Sequence, residues 1–124
     1  MIQQDKEKYQ DELNASISYL ENRGFDNIKA DIEGYETPKS FYKKGSDVSI
    51  TPDIVAEKEG RKYLFDLSLK SVKPRLLKSK WLFLNTLSQL KSYRFRLITK
   101  RGHYKFSDET TDAINLETVK IIKL

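Results

Sequence analysis

The chain contains no cysteine, so neither a disulfide nor a thiolate metal site can form, which fits a reducing compartment. No apolar run approaches the roughly 18–20 residues needed to span a membrane. The opening residues, MIQQDKEKYQ, lack the apolar segment of a signal peptide. A soluble cytoplasmic protein with no membrane partner is the expectation. Internal repeats, linkers and low-complexity tracts are also missing. The most informative absence is of carboxylate. Residues 70–107 hold 11 Lys/Arg and no Asp or Glu, whereas residues 1–69 hold 10 basic against 14 acidic residues. The overall charge of +5 therefore hides a segregated basic segment. Eleven cations without one acid exceed what solubility requires and are the footprint of a phosphate-binding surface, so nucleic acid is the expected partner.

What is present is a globular composition, 33% charged and 11% aromatic, at a length of 124 residues, suited to a single domain, 1–124. Gln3 to Arg23 predicts an amphipathic helix with Tyr9, Leu13, Ile17 and Leu20 on its apolar stripe, capped by Gly24. Asn27 to Glu33 alternates Ile28, Ala30 and Ile32 against polar residues and predicts a half-buried strand. Residues 34–45 read as a loop, with Tyr35, Phe41 and Tyr42 as packing anchors rather than base-stacking surfaces. Thr51–Lys70, TPDIVAEKEGRKYLFDLSLK, organises the rest. A strand from Val48 to Ala56, a turn at Glu59-Gly60 and a strand from Lys62 to Lys70 make a hairpin. Its second strand sets Leu64, Asp66, Ser68 and Lys70 on one side and Tyr63, Phe65, Leu67 and Leu69 on the other. Pairing of the strands brings Asp53 and Asp66 together at one edge. Two converging carboxylates repel unless a cation lies between them, and oxygen-only ligation suits Mg²⁺ or Mn²⁺.

Downstream, Leu76 to Tyr93 predicts a second helix whose wide apolar face holds Leu77, Trp81, Phe83, Leu84, Leu87 and Leu90, with Trp81 read as core. Arg94 to Lys100 predicts a strand parallel to the one before that helix, because a strand–helix–strand crossover of this length joins parallel neighbours. The loop Lys100 to Lys105 is basic, holds the single histidine, His103, and has Gly102 to let backbone N–H groups approach an anion. Asp108 to Asn115 predicts a short helix and Val119 to Leu124 an edge strand.

Pro52-Asp53 and Asp66, with 12 residues between the acids, resemble the motif of the PD-(D/E)XK nuclease superfamily, the fold of restriction endonucleases and Holliday-junction resolvases. The resemblance covers roughly residues 5–100. It departs from the family pattern where a lysine is expected two residues after the acid: Ser68 stands there, and Lys70 comes two further on. The resemblance implies an α/β, restriction-endonuclease-like single-domain core, a mixed central sheet flanked by two main helices. It implies a metal-dependent nuclease acting on nucleic acid, DNA first, with Asp53 and Asp66 holding Mg²⁺ or Mn²⁺ and the Leu67 carbonyl as a further ligand. Lys70 takes the role of orienting the attacking water or neutralising the transition state, and Ser68 at most bonds active-site water. In the family the first helix often adds an acid to the site. Glu12 is the candidate, with Asp11 and Glu7 as competitors. Gln89-x-x-x-Tyr93 is similar to a pattern of RecB-like exonucleases. Lys73, Arg75, Lys78, Lys80, Lys100, Arg101, His103 and Lys105 are the expected nucleic-acid contacts. A homodimer would give so small a core reach to both strands. The alternative is a non-catalytic nucleic-acid-binding protein on a degenerate nuclease fold, whose lysine has moved.

Overall fold

The computed structural model describes the backbone of residues 3–124 and the side chains from Tyr9 onward. Glu7, one of the competing acids of the first helix, lies outside the described side chains. The hairpin forms as the sequence predicts. Strand β4 (Ile54–Lys58) pairs antiparallel with β5 (Arg61–Leu67), Lys58 opposite Arg61. Both turn residues take left-handed backbone, Glu59 at φ 52° and Gly60 at φ 76°, the twist that a two-residue hairpin requires.

Around this hairpin stands a five-stranded mixed sheet in the order β1-β4-β5-β6-β7, with β1 at Asp26–Ala30, β6 at Arg94–Thr99 and β7 at Lys120–Lys123. Strands β1, β4 and β5 are antiparallel, whereas β5, β6 and β7 run parallel. A separate two-stranded ribbon joins β2 (Phe41–Tyr42) to β3 (Ser49–Ile50). Helix α1 (Gln3–Asn22) covers one face of the main sheet and α2 (Pro74–Lys91) the other. The chain is thus α/β, with three helices among the described residues once α3 (Tyr104–Ala113) is counted.

The two cores follow from the period-two alternation. On the α1 face, Leu13, Ile17 and Leu20 pack against Ile54, Ala56, Phe65 and Leu67. On the α2 face, Trp81 and Leu84 pack against Val55, Leu64, Phe95 and Leu97. Fully burying each large side chain stabilises the fold by about 1.5–3 kcal/mol. Helix α1 ends as Gly24 predicts. At φ 88° Gly24 donates its N–H to the Glu21 carbonyl, and Phe25 donates to that of Leu20, closing a Schellman cap whose two apolar residues share the core.

Several boundaries differ from the sequence expectation. The run from Val48 to Ala56 is broken at Pro52, which has no N–H for a ladder. Its first part pairs with β2 instead, leaving Val48 exposed. Strand β1 stops at Ala30. Helix α2 begins at Pro74, where the missing N–H is harmless and the fixed φ suits the first turn. Leu90 falls off the buried stripe and is 80% exposed. Helix α3 starts at Tyr104, four residues before Asp108, because the Ser107 N–H already bonds the His103 carbonyl. Of the three loop aromatics, Phe41 packs on the α2-face core, while Tyr42 and Tyr35 are exposed.

A side chain at position 24 meets no close atom, the nearest being the Lys58 Cε at 3.8 Å, so backbone conformation alone opposes it. Gly24→Ala is expected to lower unfolding free energy by about 1 kcal/mol. Urea titration should show the midpoint falling at constant slope.

Candidate active site at the end of the β4–β5 ladder

One step beyond the Ile54–Phe65 pair, the hairpin register sets Asp53 opposite Asp66. There the ladder changes character, and carboxylates replace backbone carbonyls as acceptors. The Asp53 N–H donates to Asp66 Oδ1 at 3.1 Å, and the Leu67 N–H donates to Asp53 Oδ2 at 2.7 Å. The two acids are thereby pinned to each other's strands. Asp66 is 1% exposed and Asp53 is half-buried.

The cation between them comes from α2. Lys80 Nζ lies 2.9 Å from Asp66 Oδ1 and 3.6 Å from Asp53 Oδ1. The next helix residue, Trp81, is core as expected, and its indole N–H also donates to Asp66 Oδ2 at 2.9 Å. From α1, the Tyr9 hydroxyl donates to Asp53 Oδ1 at 2.6 Å. Every carboxylate oxygen of the pair therefore accepts at least one hydrogen bond, as buried carboxylates require.

The expected positions divide accordingly. Asp53, Asp66 and Leu67 come together. The residue in contact with the acids is Lys80, expected only as a phosphate contact, while Lys70 is exposed at the rim of the same cavity. The face-sharing argument for Lys70 assumed a strand reaching residue 70, and β5 ends at Leu67. Glu12 is buried but pairs with Lys100 rather than with the aspartates. Among the described side chains of α1, the one that reaches the pair is Tyr9, one turn earlier. Asp11 is exposed. Ser68 is fully buried and shares a hydrogen bond with Ser107 at 2.6 Å, so it is not available to active-site water. Tyr93 lies beyond α2 with its ring beneath Lys62, and Gln89 is exposed; neither lines the cavity at the acids.

That cavity, of about 550 Å³, has Asp53, Asp66 and Lys80 within it and Lys70, Lys73 and His103 among its walls. It opens beyond the C-terminal ends of the parallel strands, where α/β sheets place ligands. The Lys70 N–H donates to His103 Nδ1 at 2.8 Å, so that ring nitrogen is the unprotonated one and the histidine ties the loop after β5 to the loop after β6. Arg75, Arg101 and Lys105 are exposed and Lys78 is half-buried, with Lys105 beside Glu109.

Electrostatically the cluster is short of positive charge, with two carboxylates against one ammonium. Burial, then the Asp53 charge, pushes the Asp66 carboxyl well above its ordinary value of 3.8, against the pull of Lys80. Burial opposes the Lys80 charge, but Asp66 and Asp53 together outweigh it and raise the ammonium above 10.5. Burial and Asp53 likewise raise the Tyr9 phenol, which stays protonated as a donor. Among the described residues no three His, Cys, Asp or Glu side chains cluster for a metal. Two carboxylates nonetheless fit Mg²⁺, which binds through one or two carboxylates and keeps its remaining positions for water and phosphate.

Comparison of the chain with protein-family models, curated proteins and solved structures gave no match.

Removing each charge should move Asp66 in a known direction. Asp53→Asn should lower its titration midpoint and Lys80→Met should raise it, read from carboxyl carbon shifts by NMR. Because the folded state holds the Asp66 proton more tightly than the unfolded chain, this group's stabilising contribution is full below 3.8 and is lost as pH rises through the raised folded value. The Lys80 contribution persists to alkaline pH and is lost only as pH rises through its own raised folded value above 10.5.

Proposed function

We propose that the chain is a metal-dependent nuclease that hydrolyses phosphodiester bonds in nucleic acid, DNA in the first instance, in the manner of the PD-(D/E)XK superfamily it resembles. The observation carrying this reading is that Oδ1 atoms of two aspartates facing each other at the end of the β4–β5 ladder share one lysine ammonium inside an open, cation-rimmed cavity. Mg²⁺ or Mn²⁺ held by Asp53 and Asp66 would supply Lewis-acid stabilisation of charge on the scissile phosphate.

The chain's own groups divide the remaining work. Asp66, fixed by the Trp81 indole and the Asp53 N–H, is the rigid carboxylate; Asp53, more exposed, faces substrate. Lys80 takes the role the family gives to its lysine, donating to the attacking water or to the phosphate as charge develops, and it reaches that place from a helix instead of a strand. Lys70 and Lys73 on the rim attract the phosphate backbone, which carries affinity without reading sequence. His103 positions the Lys70 loop through its ring nitrogen.

One observation favours a second reading, nucleic-acid binding without cleavage. The donors already satisfying all four carboxylate oxygens leave a complete hydrogen-bonded cluster in which Lys80 itself is the cation.

A cleavage assay separates the two. The substrates are supercoiled plasmid, a four-way junction, single-stranded DNA and RNA, each with Mg²⁺, Mn²⁺ or EDTA. The nuclease reading expects metal-dependent cutting, abolished in Asp53→Ala and reduced at least about 100-fold in Lys80→Ala, consistent with loss of a transition-state contact. Lys70→Ala should reduce it by less than about tenfold while shifting the salt slope by about one unit. Salt-sensitive binding without cutting, equal in wild type and Asp53→Ala, would establish the second reading.

A further inference from the structure

A second charged cavity, of about 290 Å³, lies at the opposite end of the sheet, on the face that α1 covers. The acids sit where β4 begins and β5 ends, whereas this cavity is built from the β4–β5 turn, the last turns of α1 and the starts of β5, β6 and β7. Its cations are Arg23, Lys58, Arg96 and Lys120. They come from four separate elements, so neither a helix stripe nor a sequence run gathers them.

Three of these four cations face aromatic rings. The Arg23 guanidinium lies 4.8 Å from the Tyr19 ring centre, Arg96 lies 4.9 Å from that of Tyr63, and the Lys58 ammonium lies 5.3 Å from that of Phe25. The rings brace one another, Phe25 meeting Tyr63 edge-on at 4.9 Å. None of the four cations takes part in an ion pair among the described residues. Among the described residues Glu59 is the one acid on the cavity wall, which leaves a local surplus of three positive charges. A ring quadrupole positions a guanidinium without consuming its N–H donors, and two guanidinium forks match phosphate oxygens. A single carboxylate would leave most of the surplus uncompensated, while a phosphomonoester carries nearly two negative charges at neutral pH.

We propose that this cavity is a phosphomonoester-binding site, separate from the aspartate pair and independent of whether that pair cleaves nucleic acid. Arg23 and Arg96 supply the paired donors, Lys58 and Lys120 add charge, and Glu59 limits affinity. The phosphate belongs either to a free nucleotide or to the phosphorylated end of a nucleic-acid strand.

Titration of the full chain, followed by ¹H–¹⁵N NMR and calorimetry, tests the site. The probes are inorganic phosphate, a nucleoside monophosphate, and a short single-stranded oligonucleotide with or without its 5′-phosphate. The expected result is saturable perturbation centred on Tyr19, Tyr63 and Arg96, weakened at least tenfold in Arg23→Gln/Arg96→Gln and unchanged in Asp53→Ala. Glu59→Asn, which keeps a residue tolerant of the left-handed backbone there, should tighten binding, an effect that structural damage would not produce. A preference for the 5′-phosphorylated oligonucleotide over the monophosphate identifies a strand end, and the reverse identifies a free nucleotide. The proposal is overturned if no phosphomonoester binds, or if perturbation centres on Lys70 to Lys80. It is equally overturned if the double variant, with wild-type dispersion in its spectrum, binds as wild type does. Should that variant not fold, the wild-type perturbation map and Glu59→Asn decide alone.

Discussion

Two carboxylates held face to face at the end of a hairpin govern the architecture around them. Left alone, Asp53 and Asp66 would repel each other in a place from which water is mostly removed, at a cost far above that of any surface contact. The fold offsets this by bringing a donor from every neighbouring element: backbone N–H groups from β5 and from Asp53 itself, an ammonium and an indole from α2, and a phenol from α1. Both main helices therefore contact the same polar cluster as well as their own apolar faces. The seating of α2 on the sheet is fixed by polar geometry at Lys80-Trp81 and by packing at Leu84. Removing one partner leaves a buried charge with incomplete compensation, which is more damaging than never having built the cluster.

The hairpin, the crossover and the aspartates were legible in the sequence because each rests on local regularity. Alternation across Tyr63–Leu67, the Gly24 cap and the 12-residue gap between acids all operate within a few residues of chain. The lysine that contacts the acids was not legible, for a corresponding reason. Alternation assigns Lys70 to the acid's face only while the strand continues, and the strand ends at Leu67. Lys80 depends on how α2 is rotated and shifted against the sheet, which its own 3.6-residue period does not encode. On α1 the same limit applies, since Tyr9 and Glu12 lie within one turn and only docking decides which faces the aspartates. Trp81 showed itself as core by composition, but nothing local indicated that its N–H would meet a carboxylate.

The basic segment was legible as charge but not as a single surface. Part of it lines the cavity at the acids through Lys70, Lys73 and Lys80, part is neutralised within the fold by Glu12 and Glu109, and Arg96 points into the opposite cavity. The three cations that join Arg96 there lie outside residues 70–107, in flanking portions that each carry net negative charge. Charge counted along a chain locates an excess, and the sheet then distributes it between two faces.

The outer strands of the sheet carry a consequence for how other molecules meet this chain. An open sheet edge invites a foreign strand to extend it through backbone hydrogen bonds. Here β1 has five residues and a register break between Asp26 and Lys29, while β7 has four, with Lys120 and Lys123 at its ends. Short, irregular or lysine-flanked borders of this kind disfavour templated strand growth, including growth into fibrils. Extension of the sheet by a second copy of the chain is disfavoured for the same reason, because neither border offers a long, regular run of free backbone groups.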